Sequence, residues 1–431
     1  MCHDPALEGA MELTRRQLAK GVGAAALSSV AASRTLSARS QTAAISSSSE
    51  LPRELPVRNQ FTTGQYETCL NNARWHPLSK GSKQAVQAYL EYKERGIWTP
   101  PDELSAAQRD VKAAFARLIY ADPGELAYVN STTAGENLFV SALGFPAAGG
   151  NIVTDALHFE GSLYLYGALK KQGVDVRVIR PRDWRVPMDE MEKAIDKNTR
   201  LVAVSQVSFI NGFEHNVKAI CDVAHAHGAL VYVDAVQAAG AIPIDVRASG
   251  VDAMGSASYK WLMADMGIGF LYVKQDVIPK LKRTQFGYRQ LSDLEYHAFA
   301  WDKPGNFPVE WKQKEDAAGF FEIGTYSNTT IEALSYSLPL IERLGVENIQ
   351  AHAQKLLSPL RQELPRLGYA CITPEDSHGS IASFLVADIR KTAAALKKAN
   401  VDVSLSPGRM RVSPSIYNDE KDIDRLLAAL S

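Results

Sequence analysis

Six short apolar runs occur between residues 151 and 273: NIVTDA, VDVRVI, RLVAVSQVSF, ALVYVDAV, VDAMGSA and GIGFLYV. They are rich in β-branched or small residues and lack the apolar–polar alternation of a strand with one wet face. They therefore read as strands covered on both faces. Helix-patterned stretches accompany them at residues 82–95, 105–119, 161–171 and 218–227. This succession predicts an α/β fold with a mainly parallel sheet between helices. After about residue 329 the pattern changes to two long helices, then shorter strands and a final helix. The expected organisation is an N-terminal segment over 46–79, a large α/β domain over 80–310 and a smaller α+β domain over 311–431. No internal repeat is present.

The first 45 residues differ in composition. TRRQLAK places Arg15 and Arg16 ahead of GVGAAALSSVAAS, a weakly apolar stretch of small residues too short to span a bilayer. This is the pattern of a twin-arginine export signal, which predicts delivery of a folded, cofactor-loaded protein to the periplasm. The 431 residues carry 47 basic and 48 acidic side chains, so no overall field recruits nucleic acid or a membrane surface. A small-molecule or peptide partner is the better expectation. Removal of the leader takes Cys2 with it and leaves Cys69, Cys221 and Cys371, an odd set that allows one bridge at most.

In a doubly wound sheet, ligands bind outside the carboxyl ends of the strands, so polar groups there carry most information. AYVNSTTAGENL ends a strand and opens a helix through Thr132, Thr133 and Gly135. TDALHFEG delivers His158, VYVDAVQAAG delivers Asp234 and Gln237, and GSASYK delivers Ser256, Ser258 and Lys260. Free N–H groups and hydroxyls at a helix start suit a phosphate. A carboxylate such as Asp234 can keep a pyridine nitrogen protonated, Gln237 can reach a phenolic oxygen, and His158 can stack on the ring. Lys260 lies among Tyr259, Trp261, Leu262 and Met263, where an apolar wall favours the neutral amine needed to condense with an aldehyde. Competing local readings exist: Thr133 and Glu136 spell a capping box, His158 fits a helix cap, and Asp234 fits a turn. His225 and His227 diverge on a helix, so no metal is expected.

Asp234-Ala-Val-Gln237, Ser258-Tyr-Lys260 followed by Gly267-Ile-Gly269, FEIGTYSN, and RMRVSPSIYNDEKDIDRLL near the C-terminus together resemble the class V aminotransferases of the fold-type I pyridoxal-phosphate enzymes. The similarity runs over roughly residues 70–431. It implies pyridoxal 5'-phosphate as cofactor, with Lys260 as the catalytic lysine that joins it. It further implies that Asp234 pairs the pyridinium, Gln237 contacts the phenolic oxygen, His158 stacks on the ring, and Thr132, Thr133 and Ser258 hold the phosphate. Thr325 matches the residue that reaches a neighbouring subunit's phosphate, which implies a homodimer with shared active sites. Arg411 matches the arginine that clamps a substrate carboxylate, with Arg409 as its competitor.

Departures from the family pattern bear on the reaction. Tyr259 stands where cysteine desulfurases usually have histidine, and Phe209 replaces their asparagine unless Asn211 substitutes from a shifted loop. VDVSLSPGRMRVS holds no cysteine, so a desulfurase nucleophile is missing there. The expected activity is aminotransferase-like, at the amino-bearing carbon of an amino acid or amino-acid unit. The combination of leader and family resembles periplasmic enzymes that tailor peptide siderophores of the pyoverdine type. An epimerase or an elimination lyase is the alternative, and a cofactor-binding protein without turnover is a third reading. Residues 283–307, with Tyr288, Arg289 and Trp301, read as a specificity loop.

Overall fold

The computed structural model describes residues 51–96 and 101–431, with side chains omitted over 101–105. The leader expected over 1–45, with Arg15, Arg16 and Cys2, lies outside the described residues. Seven strands form the main sheet: β1 Leu126–Val129, β2 Asn151–Asp155, β3 Asp175–Ile179, β4 Thr199–Ser205, β5 Leu230–Asp234, β6 Ala253–Ala257 and β7 Gly269–Val273. Their order is β1-β7-β6-β5-β4-β2-β3. All neighbours are parallel except those of β7, which runs antiparallel to both β1 and β6. A parallel return needs a long crossover, usually a helix. Residues 258–268 between β6 and β7 contain none, so the chain turns straight back.

Burial explains the unbroken apolar runs. Along β4, Val202 and Val204 face one hydrophobic core while Leu201 and Ala203 face the other. Ile152 and Val153 on β2 divide in the same way. Each such Val, Leu or Ile contributes roughly 1.5–3 kcal/mol on full burial, and both faces need a helical cover to collect it. The edge strand β3 shows the most mixed pattern, with exposed and buried residues interspersed along its length.

The helices used below are α1 Lys80–Glu94, α2 Pro101–Leu118, α3 Thr132–Ala142, α4 Glu160–Lys171, α5 Val217–Ala226, α6 Asn328–Leu344 and α7 Val346–Arg366. α6 packs on α1 and α2. Beyond them, β10 Ala382–Leu385, β11 Ser404–Ser406 and β12 Arg409–Val412 make an antiparallel sheet with β12 in the centre. Its core draws in Leu70 from the N-terminal segment, where Thr68–Cys69 pairs in parallel with Val401–Asp402. The described residues form one compact unit. The segment read as a specificity loop contains a strand: β8 Leu291–Tyr296 pairs antiparallel with β9 Val309–Gln313, just past its end. Its weak apolar content hid the strand, because cross-strand pairing rather than burial holds this ribbon.

Candidate active site

The carboxyl ends of β2, β4, β5 and β6 and the start of α3 bring the candidate groups together. Asp234 closes β5, is buried, and accepts from the Val236 N–H at 2.9 Å. Burial pushes its carboxyl up against the smaller opposing influence of His158. A buried anion of this kind is completed by a cation, which a pyridinium nitrogen would supply.

His158 is wholly buried between strand ends. Its Nδ1 lies 2.8 Å from Ser205 Oγ at the end of β4, and its Nε2 lies 3.2 Å from Glu136 Oε1 on α3. Burial disfavours the charged ring, but the Glu136 carboxylate outweighs it and holds the imidazole above its ordinary range. Ser162 and Tyr166 on α4 donate to the same carboxylate at 2.5 and 2.6 Å. Glu136 is thus the positioning residue that sequence reasoning missed. Its spacing from Thr133 suggested a capping box, whereas the cap of α3 is Ser131, whose hydroxyl accepts from the Ala134 N–H at 3.1 Å. Its place in an apolar stretch, NLFVSAL following, was the available signal of a buried carboxylate.

The first turn of α3 is built for an anion. Among the described residues Thr132 Oγ1 is buried without a partner, an orphan hydroxyl beside the free N–H groups of a helix start. Gly269 on β7 makes room there: a Cβ at that position would lie 2.9 Å from the Ser256 carbonyl oxygen and 3.4 Å from the Ser131 backbone. Two of the residues expected at the phosphate behave otherwise. Thr133 points outward and is exposed. Ser258 gives its hydroxyl to the carbonyls of Asp265 and Ile268 at 2.5 and 2.7 Å, so its single hydrogen closes the 258–268 loop and is not free for a phosphate. Thr325 is also exposed, and the hydrogen bonds of the site do not include it.

Lys260 is 8 % exposed in that loop, with Trp261, Leu262 and Met263 buried around it as expected. Its Nζ sits 5.7 Å from the Tyr259 ring centroid and, among the described residues, has no hydrogen bond or ion pair. Burial lowers its pKa to about 8 despite the field of Asp234, with Arg411 adding to the fall. About one molecule in ten then carries the free amine at pH 7, against roughly one in 2,500 for an ordinary lysine. Gln237 bridges Ala73 and Trp261: its amide donates to the Ala73 carbonyl and accepts from the Trp261 indole, both at 2.9 Å. One amide N–H stays available to a ligand.

Arg411, on β12, is 5 % exposed. Its Nη1 donates to the Phe209 carbonyl at 2.8 Å, while its Nε is buried without a partner among the described residues. Burial, then the charges of Arg409 and Arg74, brings its pKa down to about 10. A buried guanidinium lacking a carboxylate within ion-pair reach is a receptor for one. Asn211 does not replace the asparagine missing at Phe209. It is buried and braces its own loop, donating to the Trp184 carbonyl at 2.7 Å and accepting from the Phe213 N–H at 3.1 Å.

The thiols lie elsewhere. Cys69, Cys221 and Cys371 are free, and burial pushes each upward, Cys221 to about 12. The Cys371 backbone pairs antiparallel with Phe384 on β10, and its thiol donates to the Thr373 carbonyl at 3.6 Å. His225 and His227 turn to different partners, Asp252 and the Val223 carbonyl. The donor set therefore fits pyridoxal 5'-phosphate: an orphan hydroxyl at a helix start, a buried carboxylate, a buried imidazole and a depressed lysine.

Comparison with known proteins agrees. The family model for aminotransferase class-V matches residues 79–426. An uncharacterized aminotransferase, YcbU, of Bacillus subtilis is 28 % identical over 85 % of this chain and 94 % of its own length. A cysteine desulfurase of Haloferax volcanii is 26 % identical over 81 % and 85 %. Among solved structures, an apo cysteine desulfurase from Thermococcus onnurineus superposes with a TM-score of 0.77 at 22 % identity, covering 88 % of this chain and 98 % of that one. A cystine C–S lyase in complex with cysteine persulfide gives 0.76 at 21 %, covering 86 % and 99 %. The fold is thus that of the fold-type I enzymes. Since the family model spans both the main sheet and the C-terminal strand bearing Arg411, the chain belongs to the class-V aminotransferase family and is a pyridoxal-phosphate-dependent enzyme.

Proposed function

We propose that the protein is an exported, aminotransferase-like enzyme that acts at the amino-bearing carbon of an amino acid or an amino-acid unit of a larger molecule. When bound, pyridoxal phosphate supplies the electron sink that such chemistry needs. Asp234 would hold the ring nitrogen protonated, His158 would cover the ring face, and Thr132 with the start of α3 would seat the phosphate. Lys260 would carry the covalent link and then move the α-proton, a task suited to an amine held at about 8. Arg411 would clamp the carboxylate and so orient the bond to be broken. The observation that carries the reading is the buried, unpartnered Lys260 amine in the fields of both Asp234 and Arg411.

Cysteine desulfurases are among the relatives, yet the strand and loop bearing Arg411, residues 401–413, contain no cysteine. That departure favours a reaction at the amino-bearing carbon over sulfur transfer. Epimerisation or elimination is the second reading, since both begin with loss of the same α-proton. Export rests on Arg15 and Arg16, and tailoring of a siderophore-like peptide on that leader combined with the family. The test is absorption spectroscopy of the purified loaded protein during addition of amino compounds, with product analysis. Accumulation of pyridoxamine phosphate supports transamination; solvent-proton exchange with recovery of the starting spectrum indicates epimerisation; keto-acid release without pyridoxamine indicates elimination. No response to any amino compound would overturn the enzymatic reading.

A further inference from the structure

The corner where the N-terminal segment meets the C-terminal sheet holds side chains that the candidate active site does not use. Thr68–Cys69 pairs in parallel with Val401–Asp402, which sets Cys69 directly beside Asp402, and Asn71 continues the pairing by a bridge to Ser413. Side chains alternate along an extended chain, so Glu67, Cys69 and Asn71 share one face. Thr68 and Leu70 take the other: Leu70 enters the core of the small sheet, and the Thr68 hydroxyl donates to Asp422 at 3.3 Å. One carboxylate oxygen each of Glu67 and Asp402 and the Cys69 sulfur all lie within 4.8 Å of one another. Cys69 is buried while both carboxylates are half-buried, which leaves a path from solvent to the thiol.

Charge at this corner calls for a cation. Among the described residues neither Glu67 nor Asp402 has an ion pair, and Asp402 meets only the Cys69 thiol at 4.0 Å and the Asn71 amide at 3.4 Å. The guanidinium groups nearby are committed to the opposite face: Arg58 pairs with Asp422 at 2.7 Å, and Arg425 donates to Thr68 Oγ1 at 2.9 Å. A second observation points into the same place. Asn71 is 5 % exposed, and its Nδ2 is turned to Asp402 while its Oδ1 is buried without a partner among the described residues. An orphaned buried acceptor needs a donor or a cation. A half-turn of the amide exchanges the two atoms and aims Oδ1 at the cluster, an orientation that a facing carboxylate disfavours and a cation between them favours.

We propose that Glu67, Cys69 and Asp402, with Asn71 Oδ1 as fourth donor, form a structural site for a thiophilic divalent cation of the zinc class. One thiolate among oxygen donors suits zinc, which accepts both, and does not suit magnesium or calcium, which take oxygen alone. Tetrahedral bonds of about 2.0–2.3 Å set the donors roughly 3.5 Å apart, so side-chain rotations that move them by about an ångström close the set. On binding, the thiol S–H bond breaks, the sulfur keeps the electron pair for the metal, and the proton leaves to solvent. Burial, with the fields of both carboxylates behind it, holds the thiol protonated until the cation arrives and inverts that balance. Cys69 and Asp402 are 333 residues apart, so no short motif announces the site. It stands apart from the cofactor yet bears on it: Asn72 and Ala73 follow at once, and the Ala73 carbonyl anchors Gln237.

The test uses the purified, cofactor-loaded protein, freed of metals with a chelator and then given zinc. Zinc should raise the unfolding midpoint by an amount that grows with its free concentration, while magnesium should not. At one equivalent, zinc K-edge X-ray absorption should show one sulfur at about 2.3 Å among oxygens at about 2.0–2.2 Å. Cys69→Ser should lose the sulfur signal, whereas Cys221→Ser and Cys371→Ser keep it. Asp402→Asn, which preserves the shape of the side chain, should weaken zinc binding at least about tenfold, since even an outer partner of a metal ligand is worth that much. Retained cofactor absorbance in each variant reports an intact fold, and the proton lost from the thiol should make binding tighter as pH rises. An all-oxygen or imidazole shell, a sulfur signal that survives Cys69→Ser, or no zinc bound at equimolar concentration overturns the proposal.

Discussion

Replacing Lys260 with methionine removes a charge from a place that resists charge, and this has a measurable sign. The folded pKa of about 8 lies below the ordinary value of about 10.4, so the unfolded chain binds that proton more tightly. Below pH 8 the lysine therefore costs stability, on the order of 1–3 kcal/mol, and the cost fades as pH rises from 8 towards 10.4. Cofactor-free Lys260→Met should resist urea better than the cofactor-free parent at pH 7 and lose that advantage near pH 10. Equal midpoints at pH 7 would show that Lys260 is solvated. The same variant should lose the borohydride-stable adduct completely. At Arg411 the geometry matters as much as the charge: a lysine cannot present two parallel donors to a carboxylate. Arg411→Lys should lower kcat/KM about ten- to a hundredfold, as loss of a charge-assisted contact of roughly 1.5–3 kcal/mol implies. If the fork also orients the reacting bond, kcat falls along with the rise in KM; a wild-type kcat/KM would mean that the substrate presents no free carboxylate.

Among the elements, the start of α3 depends on how closely β7 can approach it. Gly269 lets the strand end pass the Ser256 carbonyl and the Ser131 backbone, contacts that a methyl would make at 2.9 and 3.4 Å. Backbone atoms on both sides cannot swing away as a long side chain would, so Gly269→Ala must displace the strand end or the cap of α3. The expected cost is about 1–3 kcal/mol. Because the strain falls on the anion seat, cofactor affinity should drop with stability, measurable as a higher dissociation constant for pyridoxal phosphate in an equilibrium titration. Unchanged affinity alongside a lower unfolding midpoint would mean that the seat lies elsewhere. The 258–268 loop is a comparable device: Ser258 ties its own loop through two carbonyls and so fixes where Lys260 begins.

For the whole molecule, the exposed Thr325 bears on assembly. The family resemblance assigns it to a neighbouring subunit's phosphate, so a Lys260→Ala protein mixed and refolded with a Thr325→Ala protein should regain activity. In a shared-site dimer, one hybrid site keeps both residues and the other loses both. No recovery, with hybrid dimers demonstrated by mass, would rule out sharing through Thr325. The proposed export signal makes a separate prediction. Arg15→Lys with Arg16→Lys should retain folded, cofactor-loaded protein in the cytoplasm, because a twin-arginine pathway reads the arginine pair itself. Undiminished export, followed by fractionation, would show another route.

The amino-acid order by itself determined the layered α/β architecture, since runs such as VAVS and VYVD place apolar side chains on both faces of a strand and have no stable home except between helices. It also determined Lys260, Asp234, His158 and Thr132 as candidates, because strand ends in such a sheet converge and each residue type has a chemical reason to be there, whereas Arg411 entered only through the family resemblance. Partnership was decided only by the tertiary structure. Glu136 looked like a local cap until α4 and His158 closed around it, and Ser258 looked like a phosphate donor until its own loop claimed its hydrogen. Thr133 and Thr132 are adjacent and nearly interchangeable in sequence, yet the helix exposes one and buries the hydroxyl of the other, unpaired among the described residues. A hydroxyl or carboxylate takes whichever partner is nearest in space, and a hydrogen bond's short range makes that choice depend on distances of a few ångströms that chain order does not encode locally.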